Sequence, residues 1–476
     1  MINVLILTAW RRRRYMSFLE IRNFGPINNL KIDADKNINI IIGPQASGKS
    51  TIGKVLFFCK KIRDYYVDFI LQDVTFLQTH PNELYINFLK YIRKNFMGCF
   101  GTTKHMPSFK IIYSYKSGKE VALSLREGYA FFKFSDRLEK EIGASLLDAH
   151  RIYRENQLQS SADFVANFNN KLRLKSEIKV HFTELANKIF ESDEDIIYIP
   201  AGRSLLSVLS DQLDVIDISI LDLPMKEFIE KIRLTRARFG SKLDNVVNDY
   251  LKTVQGQIKN ADTNIAKELI KKILKAEYVN DTDGEKLYFD DTHWVKLIYG
   301  SSGQQESLWI LLLLFVAILE NKKSYIVLEE PEAHLYPAAQ RNIVELIALT
   351  MNSSNSRFLV TTHSPYILSS ANLLIQSASV ENYIGANKNE ETIIRKQLRI
   401  SPQKILAYKI GENGKDTLKN IVDKISGLIE SIEIDTISQE INEESDKLDV
   451  QNAVEIYEQL ATYFKDRYHV GLMHGR

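Results

Sequence analysis

The sequence predicts an α/β protein with a mostly parallel core sheet, an antiparallel β meander and a large helical insertion. Three observations predict it. An apolar run, Asn37 to Ile42, leads straight into the glycine-framed loop "GPQASGKS", Gly43 to Ser50. From Ser324 onward, strand-like and helix-like stretches alternate in a β-α-β-α series, and the crossovers such a series needs favour parallel strands. Between Phe109 and Phe134, three short alternating runs are split at Ser117-Gly118 and Glu127-Gly128, as in consecutive hairpins.

In chain order, Phe18 to Ile32 alternates as strands around the turn "NFGPINN", and a helix is expected to start near Lys49. Helical periodicity continues past "FFCKKIRDYY" to about Asn95, gives way to the meander, and returns with mixed charge over 136–191. "DIIYIPAGRSLLS" (Asp195 to Ser207) reads as a strand, a Pro/Gly break and a helix. Helical stretches then cover roughly 225–277, and "LYFDDTHWVKLIYGSSGQQE" reads as strands ending in a Ser/Gly loop. The apolar run Leu308 to Leu319 is a buried helix, because a membrane span needs ~20 residues. Strand Ser324 to Glu329, helix Pro337 to Met351, strand Arg357 to Thr362 and a helix from about Tyr366 complete the core.

The expected organisation is an extension outside the fold at 1–15, a core lobe with the glycine loop at 16–60, and a helical insertion with the 109–135 meander at 61–194. A strand plus helical segment follows at 195–299, then the second core part at 300–385 and an acidic, helical tail at 386–476. The first fifteen residues carry Arg11 to Arg14, and a start at Met16 would read directly into the first strand. Sixty-two basic and sixty acidic residues leave a net charge of +2, so no global field draws the protein to nucleic acid. Two cysteines are too few for a disulfide framework, and with no secretory signal the expected location is cytoplasmic, without a membrane partner.

Gly43, Pro44, Gln45, Ala46, Ser47, Gly48, Lys49 and Ser50 match G-x-x-x-x-G-K-[ST] in full, followed by Thr51, with a strand before and a helix after. Backbone N–H groups of such a loop bind phosphate oxygens, Lys49 reaches the β and γ groups, and Ser50 holds Mg²⁺. The cofactors expected from the loop are a nucleoside triphosphate and Mg²⁺. "YIVLEEPEAHLYP" delivers Glu329 and Glu330 to the carboxyl end of an apolar strand; Glu329 is assigned to the metal side and Glu330 to the attacking water. His363 follows another apolar strand in "FLVTTHSPYIL", where it can sense the γ-phosphate. Ser301, Ser302, Gly303 and Gln304 form a Ser/Gly loop at a helix start, an anion-binding geometry.

This ordered set resembles the ABC-type ATPase head shared by SMC-like and RecF-like repair proteins. In that resemblance Ser301 to Gln304 corresponds to the signature loop, Glu329-Glu330 to the Walker B end and His363 to the switch histidine. The words "IRNFGPI", "YIPAGRS", "SSGQQE", "EEPEAHLYP" and "TTHSP" more narrowly resemble ATPases of the overcoming-lysogenization-defect class and of antiphage systems such as Septu and PARIS. The likeness covers about 16–60 and 195–385. It implies that the signature loop of one protomer closes over the ATP of another, giving a homodimer or higher oligomer. It also implies a nucleotide-gated sensor or clamp that controls a separate effector protein such as a nuclease.

Two departures stand out. No Q-loop glutamine is identifiable, and Arg203 in "YIPAGRS" is open to two readings, a phosphate contact or a structural residue at a helix start. The metal-binding carboxylates of the related class's C-terminal nuclease have no counterpart after His363; "IEIDTISQEINEESD" reads as a solvated acidic surface. Lys231 to Leu243, "KIRLTRARFGSKL", favours a solvated helix face over a DNA grip, which leaves nucleic acid open as a partner under the alternative of a RecF- or SMC-like repair ATPase.

Overall fold

The computed structural model describes residues 16–72, 76, 79–157, 164–209, 217–253, 260–384, 394–411, 418–424 and 426–430. The strands are β1 (Phe18–Phe24), β2 (Ile27–Asp33), β3 (Ile38–Ile42), β4 (Lys110–Ser114), β5 (Glu120–Arg126), β6 (Tyr129–Phe134) and β7 (Asp195–Ile199). They continue with β8 (Glu277–Asp281), β9 (Gly284–Tyr288), β10 (Trp294–Lys296), β11 (Ser324–Glu329), β12 (Arg357–Thr362), β13 (Ile405–Lys409) and β14 (Lys419–Asn420). The helices are α1 (Lys49–Ile70), α2 (Leu84–Phe100), α3 (Asp136–Gln157), α4 (Phe164–Ile189), α5 (Ser204–Val208) and α6 (Leu223–Arg236). Then come α7 (Leu243–Thr253), α8 (Asn260–Leu274), α9 (Ser302–Leu319), α10 (Pro337–Ser354) and α11 (Pro365–Ile384).

The core sheet runs in the order β14-β13-β3-β12-β11-β7, parallel throughout except for the short β14. A parallel sheet must be covered on both faces, and the period of two in its strands divides the side chains between two cores. Ile38, Ile40, Ile42, Ile326, Leu328, Phe358 and Val360 pack with α8 to α11 on one face. Ile41, Tyr325, Val327 and Leu359 pack on the other with α1 and an antiparallel sheet of order β2-β1-β4-β5-β6. Helix α9 is long and apolar enough to cross a membrane by length and composition, but 83% of it is buried in the first of these cores.

The structure corrects parts of the expected organisation. A boundary at residue 60 would cut α1, which continues to Ile70. The meander is no separate insertion, because β4 pairs with β1, setting Ile111 opposite Ile21 and joining the two ends of the first lobe in one sheet. The segment from 386 is not all tail. Ile405–Lys409 lies beside β3 as a core strand, and the Ile410 amide donates to the Ile42 carbonyl over 2.9 Å. Alternation reveals that these strands have an apolar face, but not which distant face covers it. The 1–15 extension and the acidic segment after 430 lie outside the described residues.

Candidate functional site

Strand register assembles the site. Ile42 stands opposite Thr362 across β3 and β12, and Thr361 stands opposite Glu329 across β12 and β11. Three neighbouring strands therefore end on one edge, the side where open α/β sheets hold ligands. The β3 end runs into the 43–50 loop and α1, which begins at Lys49 behind an N-cap at Gly48. Gly43 is needed at the loop's start because a Cβ there would lie 2.6 Å from the Ile410 carbonyl oxygen.

Lys49 Nζ donates to the carbonyls of Gly43 (2.7 Å) and Pro44 (2.6 Å) and lies 3.4 Å from Nδ1 of His363. On the other side of the ring, Nε2 is 3.2 Å from Oε1 of Glu330. Lys49, His363 and Glu330 thus form a line across three strand ends, with the histidine in the middle because β12 lies between β3 and β11. The contacts fit a neutral ring that accepts from the ammonium at Nδ1 and donates from Nε2 to the carboxylate.

Burial lowers the Lys49 ammonium to about 8, against the opposing pull of Glu330, Glu332 and Glu329. The hydrogen bond from His363 holds Glu330 below the ordinary carboxylate range, in opposition to burial. Glu330 sits in the left-handed region at φ 42°, a conformation that costs a non-glycine residue ~1–2 kcal/mol, and its amide donates to the Thr361 carbonyl over 2.8 Å. Glu329 is buried; Oε2 accepts from the Ala201 amide over 3.3 Å. Its Oε1 makes no protein hydrogen bond of good geometry, although the Tyr198 hydroxyl lies near.

That orphaned oxygen faces α1, since a Cβ on Gly53 would come 3.8 Å from it, and Ser50 is exposed on the helix's first turn. A carboxylate and a hydroxyl oxygen are the kind of donor a hard divalent cation takes. Among the described residues no group of three or more His, Cys, Asp or Glu side chains could hold a metal. A Mg²⁺ here would take its other ligands from phosphate and water, as such ions commonly do.

The loop of Ser301 to Gln304 is built differently. Ser301 caps α9, its Oγ accepting from the Gln304 amide while Gln304 Oε1 accepts from the Ser301 amide over 2.9 Å, a capping box. Gln304 Nε2 donates to the Leu274 carbonyl over 2.7 Å. The Gln304 side chain, expected at a nucleotide, is therefore committed at both ends within its own chain. A Cβ on Gly303 would meet the His334 carbonyl oxygen at 2.7 Å, so the turn after β11 packs directly on this loop. Among the described residues, no hydrogen bond or ion pair joins 301–304 to 43–50. The structure brings together Lys49, Glu329, Glu330 and His363; among the described residues Ser301 to Gln304 make no hydrogen bond or ion pair with any of the four.

Arg203 is not a phosphate contact. It is fully buried and donates to the carbonyls of Pro200, Glu306, Glu329 and Glu330. Sequence reasoning missed Glu332, whose Oε1 accepts from Thr362 Oγ1 (2.6 Å) and from the His363 amide (2.7 Å), fixing the turn that carries the histidine. The signal was the third carboxylate in "EEPE". In the basic segment, Lys231, Arg233, Arg238 and Lys242 reach Asp195, Glu230, Glu320 and Asp291, a paired surface rather than an open cationic stripe.

A family model described as AAA ATPase domain matches residues 15–368. Among curated proteins, 34 residues are 59% identical to the ATP-dependent DNA helicase RecG of Bacillus subtilis (strain 168), 7% of this chain and only 5% of that protein's length. Similar solved structures include an SMC head bound to the C-terminal winged-helix domain of ScpA, with 12% identity, 85% of this chain and 98% of that chain covered, and a TM-score of 0.38. A Pyrococcus furiosus SMC head with an extended coiled coil, bound to the C-terminal domain of ScpA, gives 12%, 90%, 99% and 0.38. The SMC head domain from Thermotoga maritima gives 14%, 75%, 91% and 0.30.

Proposed function

We propose, from the premise that this chain belongs to the AAA ATPase domain family, that it binds ATP at the 43–50 loop and hydrolyses it within a nucleotide-bridged pair of protomers. The observation that carries the reading is the line from Lys49 through His363 to Glu330 across three adjacent strand ends. Lys49 turns its ammonium from the loop carbonyls to the β and γ phosphates. Glu330 orients the attacking water, and His363, between them, registers whether the γ-phosphate is present. Ser50 and Glu329 would hold Mg²⁺, which when bound neutralises charge on the transferring phosphoryl group.

Among the described residues no hydrogen bond joins the 301–304 loop to the lysine of its own chain, yet Ser301 and Ser302 are exposed at the start of an eighteen-residue helix. A second protomer presenting this loop to the first protomer's triphosphate completes the site. ATP then favours closure and hydrolysis removes the bridge. The finer role we assign, from the sequence likeness to antiphage ATPases, is a clamp that holds or releases a separate effector such as a nuclease.

Glu330→Gln is expected to accumulate an ATP-dependent dimer in gel filtration, while Lys49→Ala stays monomeric at the same nucleotide concentration. An elution volume of Glu330→Gln that ignores ATP would overturn the bridged pair. Affinity purification from the native host tests the clamp: a nuclease co-eluting with the chain is expected, and cleavage of plasmid by the pure chain alone would reassign the nuclease to it.

A further inference from the structure

We propose that Arg203 is a positioning residue that ties the placement of Glu330 to the helix behind the 301–304 loop. The inference rests on the hydrolytic reading above for its catalytic consequence, but the tie itself is a matter of contacts. Arg203 Nε donates to the Glu306 carbonyl over 2.8 Å. Nη1 donates to the carbonyls of Pro200 and Glu329, the latter over 2.7 Å, and Nη2 to that of Glu330 over 2.9 Å. One planar guanidinium thus holds the last peptide of β11, the strained residue that follows it, the turn after β7 and the second turn of α9. Lysine could not reproduce this, since its ammonium lacks the fork.

The counter-charge comes from the same helix. Glu306 Oε2 lies 3.5 Å from Arg203 Nε. Its two oxygens also accept from the amides of Arg203 and Ser204, each over 3.0 Å, so the carboxylate pins the backbone on which Arg203 sits. Both side chains are buried, at 0% and 3% exposed, and so cannot exchange these partners for water without opening the fold. Glu330, by contrast, is half-buried and stands at φ 42°; its amide donates to the Thr361 carbonyl, and its carbonyl accepts from the Ala333 amide (3.2 Å) within the turn and from Arg203, the side chain that ties it to the rest of the fold.

Gly303 and Glu306 lie three positions apart on one helix, and Gly303 packs on the His334 carbonyl of the turn that follows Glu330. The loop assigned to a second protomer's triphosphate and the carboxylate assigned to this protomer's own are therefore linked through one arginine. A shift of α9 would move the Glu306 carbonyl and carboxylate, then Arg203, then the Glu329 and Glu330 carbonyls. Occupation of one site would in this way set the water-orienting carboxylate of the other.

The test uses the full chain and the conservative variants Arg203→Lys and Glu306→Gln. Steady-state ATP hydrolysis is expected to show kcat lower by ~10–100-fold with KM within about threefold, because misplacing a catalytic group by an ångström costs on that scale. Hydrogen exchange followed by mass spectrometry should show faster exchange in peptides spanning 329–336 and 301–307 together, in both variants. A raised KM with unchanged kcat would make Arg203 a ligand contact and overturn the proposal, as would kcat within twofold of wild type. Faster exchange confined to 200–207 would also overturn it. If Arg203→Lys shows no cooperative melting, Glu306→Gln decides by the same criteria. Absence of turnover in the wild type would defeat the hydrolytic reading instead, and the exchange pattern would still judge the tie.

Discussion

The two ends of the parallel sheet both gather opposite charges, and they use them in opposite ways. At the amino ends, Arg357 of β12 forks onto Glu194, just ahead of β7, and also reaches Asp35 at 3.3 Å. Lys60 of α1 lies 4.0 Å from Glu194 and 4.0 Å from the centre of the Tyr325 ring. The Glu194 side chain is wholly buried; burial pushes its pKa up, but the hydrogen bonds from Arg357 and the Lys60 charge prevail and hold it low. At the carboxyl ends, the contacts among Lys49, His363 and Glu330 are 3.2–3.4 Å long, Glu330 is half-buried and Glu329 keeps an oxygen without a good partner. At the amino ends the arginine fork and the wholly buried carboxylate are spent on each other, which leaves them a structural part. A network that leaves an ammonium movable and a carboxylate oxygen spare can exchange its partners for a ligand's.

Mutations sharpen that contrast. Glu194→Ala leaves Arg357 and Lys60 buried against each other and should cost ~3–5 kcal/mol in denaturant unfolding, with nucleotide affinity of the folded fraction unchanged. Loss of nucleotide binding at full stability would break the division of labour. Glu330→Gln should do the reverse: kcat lower by ~10²–10⁴-fold with the unfolding midpoint nearly unmoved.

Lys60 offers a pH test. Burial lowers its ammonium to about 7 in the folded protein, with Arg357 adding to the fall, whereas the unfolded value is ~10.4. Between those values the unfolded chain binds more protons, so this group makes stability rise with pH from about 7 upward and contributes no slope below. Lys60→Met should flatten that rise by on the order of 1 kcal/mol per pH unit, read from urea titrations between pH 7 and 8.5. The smallest effect belongs to Lys49. With its pKa near 8, binding of a polyphosphate, which favours the charged form, should take up about half a proton at pH 8. Calorimetry in two buffers of different ionisation enthalpy would detect the uptake, and Lys49→Ala should abolish it.

Much of the candidate site was legible because its signals are local. The 43–50 loop, the carboxylates at the end of "YIVLEE" and the histidine after "FLVTT" are each a strand plus the residues just beyond it. The missing parts are those whose partners lie far along the chain. Arg203 reads more readily as a structural helix-start residue than as a phosphate ligand, but its acceptors, more than one hundred residues away at Glu306, Glu329 and Glu330, are invisible in the sequence. Glu194 and Arg357 drew no notice, since a charge at a strand start is ordinarily solvated and here is buried under α1. The strand Ile405–Lys409 reads as tail in the sequence because five residues without a following helix carry little periodicity.

By itself the sequence determined the α/β class, the phosphate-type loop and the residue types waiting at three strand ends, because backbone preference and apolar period act within a dozen residues. Only the tertiary structure decided that β12 lies between β3 and β11, that Arg203 is spent on carbonyls, and that a late strand backs the glycine loop. Those choices depend on which buried faces cover one another, and burial rewards any well-packed pairing of apolar faces irrespective of their distance along the chain.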